Sequence, residues 1–159
     1  MTSGPASSDP VAFRHYQAAD HAACLDIFDA NCPRFFAPNE RQDFDTYLTG
    51  KPDNYQVATR NNTVVGAFGV SAGTTHDARI NWIMIDPSCQ GDGVGAQMML
   101  EAIGIARQLE ALRIHIAASQ HSAAFFAKYG ATEVARTTDG WGPGMHRLDM
   151  LLELSAAGA

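Results

Sequence analysis

The residues best suited to chemistry in this chain are seven in a row, Gln90-Gly91-Asp92-Gly93-Val94-Gly95-Ala96. They follow the strand-like run Ile80 to Ile85 and open a helix-like run that starts at Val94. A strand, a glycine-rich turn and a helix N-terminus together grip an anion. The first backbone N–H groups have no intrahelical partner and point at it, and the macrodipole adds partial positive charge. Glycine suits the turn because it adopts positive φ and lets a ligand approach the backbone closely. The segment therefore points to a phosphorylated ligand. A dinucleotide fingerprint would need G-x-G-x-x-G, and Gly91, Gly93 and Gly95 are wrongly spaced for it. A nucleoside-triphosphate loop would need Lys and Ser or Thr after its last glycine, and neither follows Gly95.

A third pattern, (Gln/Arg)-x-x-Gly-x-(Gly/Ala), is met by Gln90, Gly93 and Gly95, with Asp86-Pro87 just upstream. Downstream, Phe125-Phe126-Ala127-Lys128-Tyr129-Gly130-Ala131 looks like a helix ending of the form aromatic-Tyr-x-Lys-x-Gly-Phe. In this order the two stretches resemble the acetyl-CoA loop and the last helix of the GNAT superfamily of N-acetyltransferases. The specific motifs span about Ile80 to Ala131. The resemblance implies acetyl-CoA as co-substrate. Its pyrophosphate would lie on the backbone of Gln90, Gly91, Asp92, Gly93, Val94, Gly95 and Ala96. Its pantetheine would bond as a false strand to the backbone of Met84 and Ile85, with Ser119, Ser122 and Phe126 nearby.

The implied reaction is direct acetyl transfer from a thioester to a primary amine in a ternary complex. An amine attacks only when neutral, so a base or a water chain must take its proton. The oxyanion that forms needs N–H donors. Here the chain departs from the family pattern. Phe126 stands where the usual acid is a tyrosine, Ser119 where an asparagine is common, and Ala131 where a phenylalanine is common. Three catalytic candidates follow. Tyr129 lies three residues beyond Phe126. His115 points opposite to Ile114 and Ile116 on its strand and could act as a general base. Asn81 could orient a water. Asp77 and His76 could also act through water, and each of these residues has an ordinary packing or turn reading as well. Cys89 beside the loop reads as a buried filler and His121 as a surface residue. The loops at Phe35, Phe36 and Trp141 are candidates for the acceptor pocket. An acyl-CoA-binding module with little or no transferase activity stays open as the alternative, because Phe126 carries no proton.

These residues need a scaffold. Strand-like segments run over Val11 to Gln17, Tyr55 to Arg60, Thr63 to Ser71, Ala78 to Ile85, Arg113 to Ala118, Thr132 to Thr137 and His146 to Leu154. Asn61-Asn62 signals a two-residue hairpin. Helical patterns run from an N-cap at Asp20 to about Asn31, and from Pro38-Asn39-Glu40 to near Gly50. A long amphipathic helix carries Val94, Met98, Ala102, Ile105 and Leu109, and a short helix spans Ser122 to Tyr129. Residues Asp139 to Gly144 read as a glycine-rich loop. The order predicts an α+β fold: one GNAT-like domain over 11–155, with a mixed, mostly antiparallel seven-stranded sheet and about four helices. By resemblance the sheet splays between strands 4 and 5.

The 159 residues suffice for one domain. A net charge of −6 argues against nucleic acid or an anionic membrane as the main partner. Three cysteines without metal-site spacing suit reduced thiols, and no metal is expected. Residues 1–10 lack the apolar run of a signal peptide and are expected to form a disordered tail. The expected setting is cytoplasmic. The expected partners are acetyl-CoA and an amine acceptor, either a small molecule or a protein amino group, and a homodimer is left open.

Overall fold

The structure, a computed structural model, describes residues 10–154. The tail expected over residues 1–10 lies outside them, apart from Pro10. Seven strands are described: β1 (Ala12–His15), β2 (Tyr55–Arg60), β3 (Thr63–Ala72), β4 (Asp77–Ile85), β5 (Arg113–Ala118), β6 (Thr132–Gly142) and β7 (Met145–Glu153). They form one sheet in the order β1-β2-β3-β4-β5-β7-β6. Only β4 and β5 run parallel; the other neighbouring pairs are antiparallel. Four α-helices are described: α1 (His21–Ala30), α2 (Glu40–Thr49), α3 (Val94–Gln108) and α4 (Ala123–Ala127). The expected mixed α+β sheet is observed.

Alternation along the strands divides the core between the two faces of this sheet. Tyr55, Val57 and Ala67 face α1 and α2, where they pack with Phe28, Phe44 and Leu48. Ala58, Phe68 and Val70 face the other way, against Val94, Met98 and Ala102 of α3 and Phe126 of α4. The apolar stripe expected on the long helix is therefore its core face. Leu109 ends that stripe and is exposed. At the β2–β3 turn Asn61 and Asn62 have φ of 53° and 64°, as a two-residue primed turn requires.

Two features of β4 position the site. β4 and β5 are paired only at Asp77↔Arg113, Ala78↔Ile114 and Arg79↔His115, and beyond that they part. β5 stays paired to β7 along its whole length, from Arg113 to Ala118. The parting expected between strands 4 and 5 is thus present, beginning after Arg79. β4 also carries a bulge: Trp82 and Ile83 together oppose Phe68, between the pairs Gly69↔Asn81 and Ala67↔Met84. Trp82 has φ of 46°, a conformation that costs a bulky residue about 1–3 kcal/mol. It is held there by the buried Tyr55 hydroxyl, which donates to the Trp82 carbonyl. Its ring sits 5.0 Å from that of Phe44 and 6.2 Å from that of Phe36.

Several boundaries differ from expectation. The glycine-rich stretch Asp139–Gly144 is not a loop. β6 runs to Gly142, β7 starts at Met145, and only Pro143 and Gly144 turn between them. Irregular pairing between Thr137 and Gly142 uses the left-handed backbone of Asp139, and the Asp139 carboxylate accepts from Gly144 N–H. Asp20 does not cap α1. Its carboxylate takes both Arg14 guanidinium nitrogens at 2.8 and 2.9 Å and the Gln17 N–H, and a short 3-10 turn precedes the helix. α4 ends at Ala127 rather than Tyr129, because Gly130 with φ of 101° turns the chain. β1 is shorter at both ends than the segment Val11–Gln17.

Removing the hydroxyl that restrains the bulge should cost stability. Tyr55→Phe leaves the Trp82 carbonyl without its buried donor and is expected to lower the unfolding free energy by about 1–3 kcal/mol in urea titrations.

Candidate active site

β4 ends at Ile85, and the next residues build the anion loop. The Asp86 carboxylate accepts from the N–H and hydroxyl of Ser88, starting a one-turn 3-10 helix over Pro87–Cys89. Gly91 and Gly93 follow with φ of 88° and 84°. A Cβ on either would meet nothing within 4 Å, so here glycine serves backbone conformation and not space. Gly95 is the opposite case. Its Cβ would lie 2.9 Å from the Phe125 ring and 3.0 Å from Ile85, so a side chain there would push α3 off its neighbours. No side chain caps α3. The N–H groups of its first turn are therefore left for an anion at the helix start. Asp92, the one acidic residue of the loop, is turned to Arg60, whose Nη1 lies 3.3 Å from its carboxylate.

From this loop a cavity of about 680 Å³ follows the parting of the strands. Ile80 to Ile85 line one wall and Ile116 to Ala118 the other. Gln90, Gly91, Gly93, Gly95 and Ala96 line the mouth, with Ser119, Ser122, Phe125, Phe126 and Tyr129 beside them. Strand edges that face a gap carry backbone donors and acceptors that an extended ligand can use. Ile85 already gives one carbonyl bond to the buried Asn31 amide, at 2.9 Å, which ties the end of α1 to the end of β4.

The other end of the cavity is aromatic. Phe36, between α1 and α2, stands 6.2 Å from Trp82 at the bulge, and Phe35 and Trp141, near the tip of the β6–β7 hairpin, line the same cavity. Trp141 is fixed at three points. Its indole N–H donates to the Ala118 carbonyl at 2.9 Å, its own carbonyl accepts from the Asn39 amide at 2.8 Å, and the Arg147 guanidinium lies over its ring. Among these walls lies Glu40, 5% exposed, at the first turn of α2. The Ala37 N–H donates to its Oε2 at 2.8 Å while Glu40 N–H donates back to the Ala37 carbonyl, so the turn before α2 is closed from both sides. No cation among the described residues is paired with it. Burial pushes its carboxyl up to about 7; the Ala37 N–H opposes this, and the charge of Asp43 adds to it.

The model of the Acetyltransferase (GNAT) family matches residues 22–131. The chain belongs to this family. Members of the GNAT family use acetyl-CoA as co-substrate, and the loop and parted strands lie where that resemblance places them. Three solved structures show the same fold. Ard1 from Thermoplasma volcanium has a TM-score of 0.78 at 17% identity, over 92% of this chain and 99% of that one. The ribosomal-protein-alanine N-acetyltransferase from Brucella melitensis gives 0.71 at 22% identity, over 90% and 99%. Rv2747 from Mycobacterium tuberculosis, solved in complex with CoA, gives 0.71 at 19% identity, again over 90% and 99%. No curated protein matches the chain in sequence.

On this GNAT scaffold the residues singled out from sequence divide into two groups. Met84, Ile85, Gln90, Gly91, Gly93, Gly95, Ala96, Ser119, Ser122 and Phe126 all line the cavity. The side chains of Asp92 and Val94 do not: one pairs with Arg60 and the other is fully buried in the core. Ser119 N–H donates to the Ser122 hydroxyl at 3.0 Å and the Ser119 hydroxyl accepts from His121 N–H, so this pair also organises the start of α4. Asn81 lines the cavity and donates to the Ser71 hydroxyl, which leaves its carbonyl oxygen to face a ligand or water. Tyr129 reaches the cavity from the turn after α4, its ring 5.4 Å from Phe125. His115 is not brought to it. It sits at the closed end of the wedge, where the strands still pair, with Nε2 2.9 Å from Asp77. Asp77 is thereby engaged as well, and His76 lies away from the cavity, with Nδ1 3.4 Å from the Glu110 carbonyl. Cys89 is buried, as a filler would be, and lines the cavity wall. The exposed His121 lines the cavity too.

Four site residues had no sequence reading as such: Glu40, Asn31, Arg60 and Arg147. Pro38-Asn39-Glu40 carries the legible signal of a helix start, and α2 does begin at Glu40. Nothing local says that this glutamate is buried.

The raised Glu40 carboxyl links the site to stability. The folded protein holds this proton up to about pH 7, whereas an ordinary glutamate releases it near 4.5. The contribution is therefore present below pH 4.5 and is lost as pH rises through 7. Glu40→Gln cannot lose it. The stability difference should move in the variant's favour by about 3 kcal/mol between about pH 4 and about pH 8, read by urea unfolding across that range.

Proposed function

We propose that this protein is an acetyl-CoA-dependent N-acetyltransferase that moves an acetyl group from the coenzyme A thioester to a primary amine by direct transfer in a ternary complex. The observation that carries this reading is the parting of β4 from β5 directly beside an uncapped helix start with two left-handed glycines. The pyrophosphate rests on the backbone of residues 90–96. The pantetheine lies between the strands against Met84 and Ile85, with Ser119, Ser122 and Phe126 along its path. The thioester then reaches the bulge at Trp82, opposite the aromatic end of the cavity. Arg60 neutralises Asp92, so that the loop meets the diphosphate without an unpaired carboxylate.

The acceptor amine enters from the side of Phe35, Phe36 and Trp141. Asn81, whose amide is anchored on Ser71, holds a water near the reacting centre. Phe126 cannot protonate the leaving thiolate. Tyr129 is the hydroxyl of this stretch that reaches the cavity, and it takes the acid role where protonation is needed. The chemistry proceeds in the cytoplasm, on a small-molecule amine or a protein amino group.

The test combines binding and turnover. Acetyl-CoA at 100 times its dissociation constant adds about 2.7 kcal/mol of stability. For a domain of this size that is a rise of about 5–10 °C in melting temperature, with NADH giving none. Free thiol should then appear when a panel of primary amines is added. Binding without thiol release against any amine would replace this reading with an acyl-CoA-binding module. Gly93→Asp should keep the fold, because aspartate tolerates left-handed backbone better than most residues. It should nevertheless abolish the acetyl-CoA shift, since its carboxylate faces the pyrophosphate. A retained shift would overturn the loop assignment.

A further inference from the structure

Among the described residues that line the cavity, Glu40 is the only carboxylate. It is buried yet unpaired with any cation, and one oxygen is fixed by the Ala37 N–H. A carboxylate has about four lone-pair sites, so this bond leaves acceptor capacity free. Glu40 stands four residues before Phe44 on α2, on the same helix face. The Phe44 ring lies 5.0 Å from that of Trp82, so this face of α2 is turned to the β4 bulge. The hairpin tip closes over the same spot, with Asn39 bonded to the Trp141 carbonyl. A lone acidic group thus sits inside walls of Phe35, Phe36, Trp82 and Trp141.

Such a compartment suits one chemical class: an ammonium group carried on a flat, apolar body. Resting on the acetyl-transfer reading above, we propose that the acceptor is a primary amine of this class and that Glu40 is the catalytic base that takes its proton. In the step, the Glu40 carboxylate removes one proton from the ammonium. The neutral nitrogen attacks the thioester carbonyl carbon, a C–N bond forms, and the C–S bond breaks with its electron pair on sulfur. Tyr129 gives its hydroxyl proton to the thiolate and takes the nitrogen's second proton in return, and the proton on Glu40 passes to water. An ammonium and a thioester become an amide, a thiol and one released proton.

The carboxyl has the right acidity, near 7, to be ionised yet basic at neutral pH. The charge that acts on it is Asp43 on its own helix, while Arg79 on β4, Arg147 on β7, and His121, Lys128 and Tyr129 on either side of α4 line the same cavity. Asp43 raises the Glu40 carboxyl. Arg147 is engaged with Asp149 at 2.9 Å and with the Trp141 ring.

The experiment follows thiol release from acetyl-CoA with 2-phenylethylamine and with spermidine, a polycation with no flat apolar body. Wild type should turn over phenylethylamine, with kcat/KM rising through an apparent pKa near 7 to a plateau. Glu40→Gln keeps an acceptor for the Ala37 N–H and should bind acetyl-CoA as wild type does. Its kcat should fall by about 100-fold, and its rate should climb steadily toward the amine's own pKa with no plateau. Asp43→Asn, a surface change, should shift the wild-type limb to lower pH while keeping the maximal rate. The same limb persisting in Glu40→Gln would make Glu40 a helix cap only and overturn its role as base. An unmoved limb in Asp43→Asn would detach that limb from Glu40 and overturn the role likewise. Spermidine used as well as phenylethylamine, or phenylethylamine not used at all, would overturn the acceptor class. Loss of acetyl-CoA binding by the wild type would instead strike the transferase reading itself.

Discussion

The structure turns on three residue pairs. β4 and β5 share a ladder at Asp77, Ala78 and Arg79 and then diverge, while each keeps its other neighbour. Parallel strands side by side normally satisfy one another's backbone groups, so parting leaves an edge on each side that must find other partners. Everything else in the fold makes that arrangement tolerable. The β5–β7 ladder fixes one edge, the β3–β4 ladder the other, and α3 and α4 cover the core beneath the gap. The gap opens into a cavity of about 680 Å³ that reaches the uncapped start of α3.

Strain and burial are concentrated at the other end of the gap. Trp82 adopts a backbone conformation that bulky residues avoid, and the buried Tyr55 hydroxyl and an aromatic cluster hold it there. Glu40 stays buried without a cation, held by the Ala37 N–H just ahead of its helix. Both residues would sit more comfortably elsewhere, which is typical of positions kept for function. The two groups reach the same compartment from opposite layers, the sheet and α2. Neither alone defines it.

Much of this was legible in the residues. Asn61-Asn62 announced a hairpin whose φ values are both left-handed, and the glycines of 91–95 announced a helix start. The strand and helix periods gave the mixed sheet. What stayed hidden depends on register or depth. His115 alternates with Ile114 and Ile116 as expected, but whether it meets the gap depends on where pairing to β4 stops, and pairing stops one step too late. The bulge shifts the alternation by a single residue, and no local signal marks that. Glu40 reads as a helix start, and its burial rests on tertiary packing that no neighbouring residue announces, including a hairpin that bonds Asn39 from about a hundred positions later. Asp139–Gly144 looks like a loop because Asp139, Gly140 and Gly142 belong to an irregular ladder and only Pro143 and Gly144 to the turn.

The contact between Asn39 and Trp141 spans 102 positions along the chain. Short-range ladders such as β2–β3 can close early, but a contact this distant must wait until most of the intervening chain is in place. The anion loop and the gap draw on the middle of the chain, whereas the aromatic compartment joins its first third to its last strands. Closing the aromatic compartment therefore carries a larger loop-closure cost than the ladders of neighbouring strands, so its integrity reports on the packing of the whole chain.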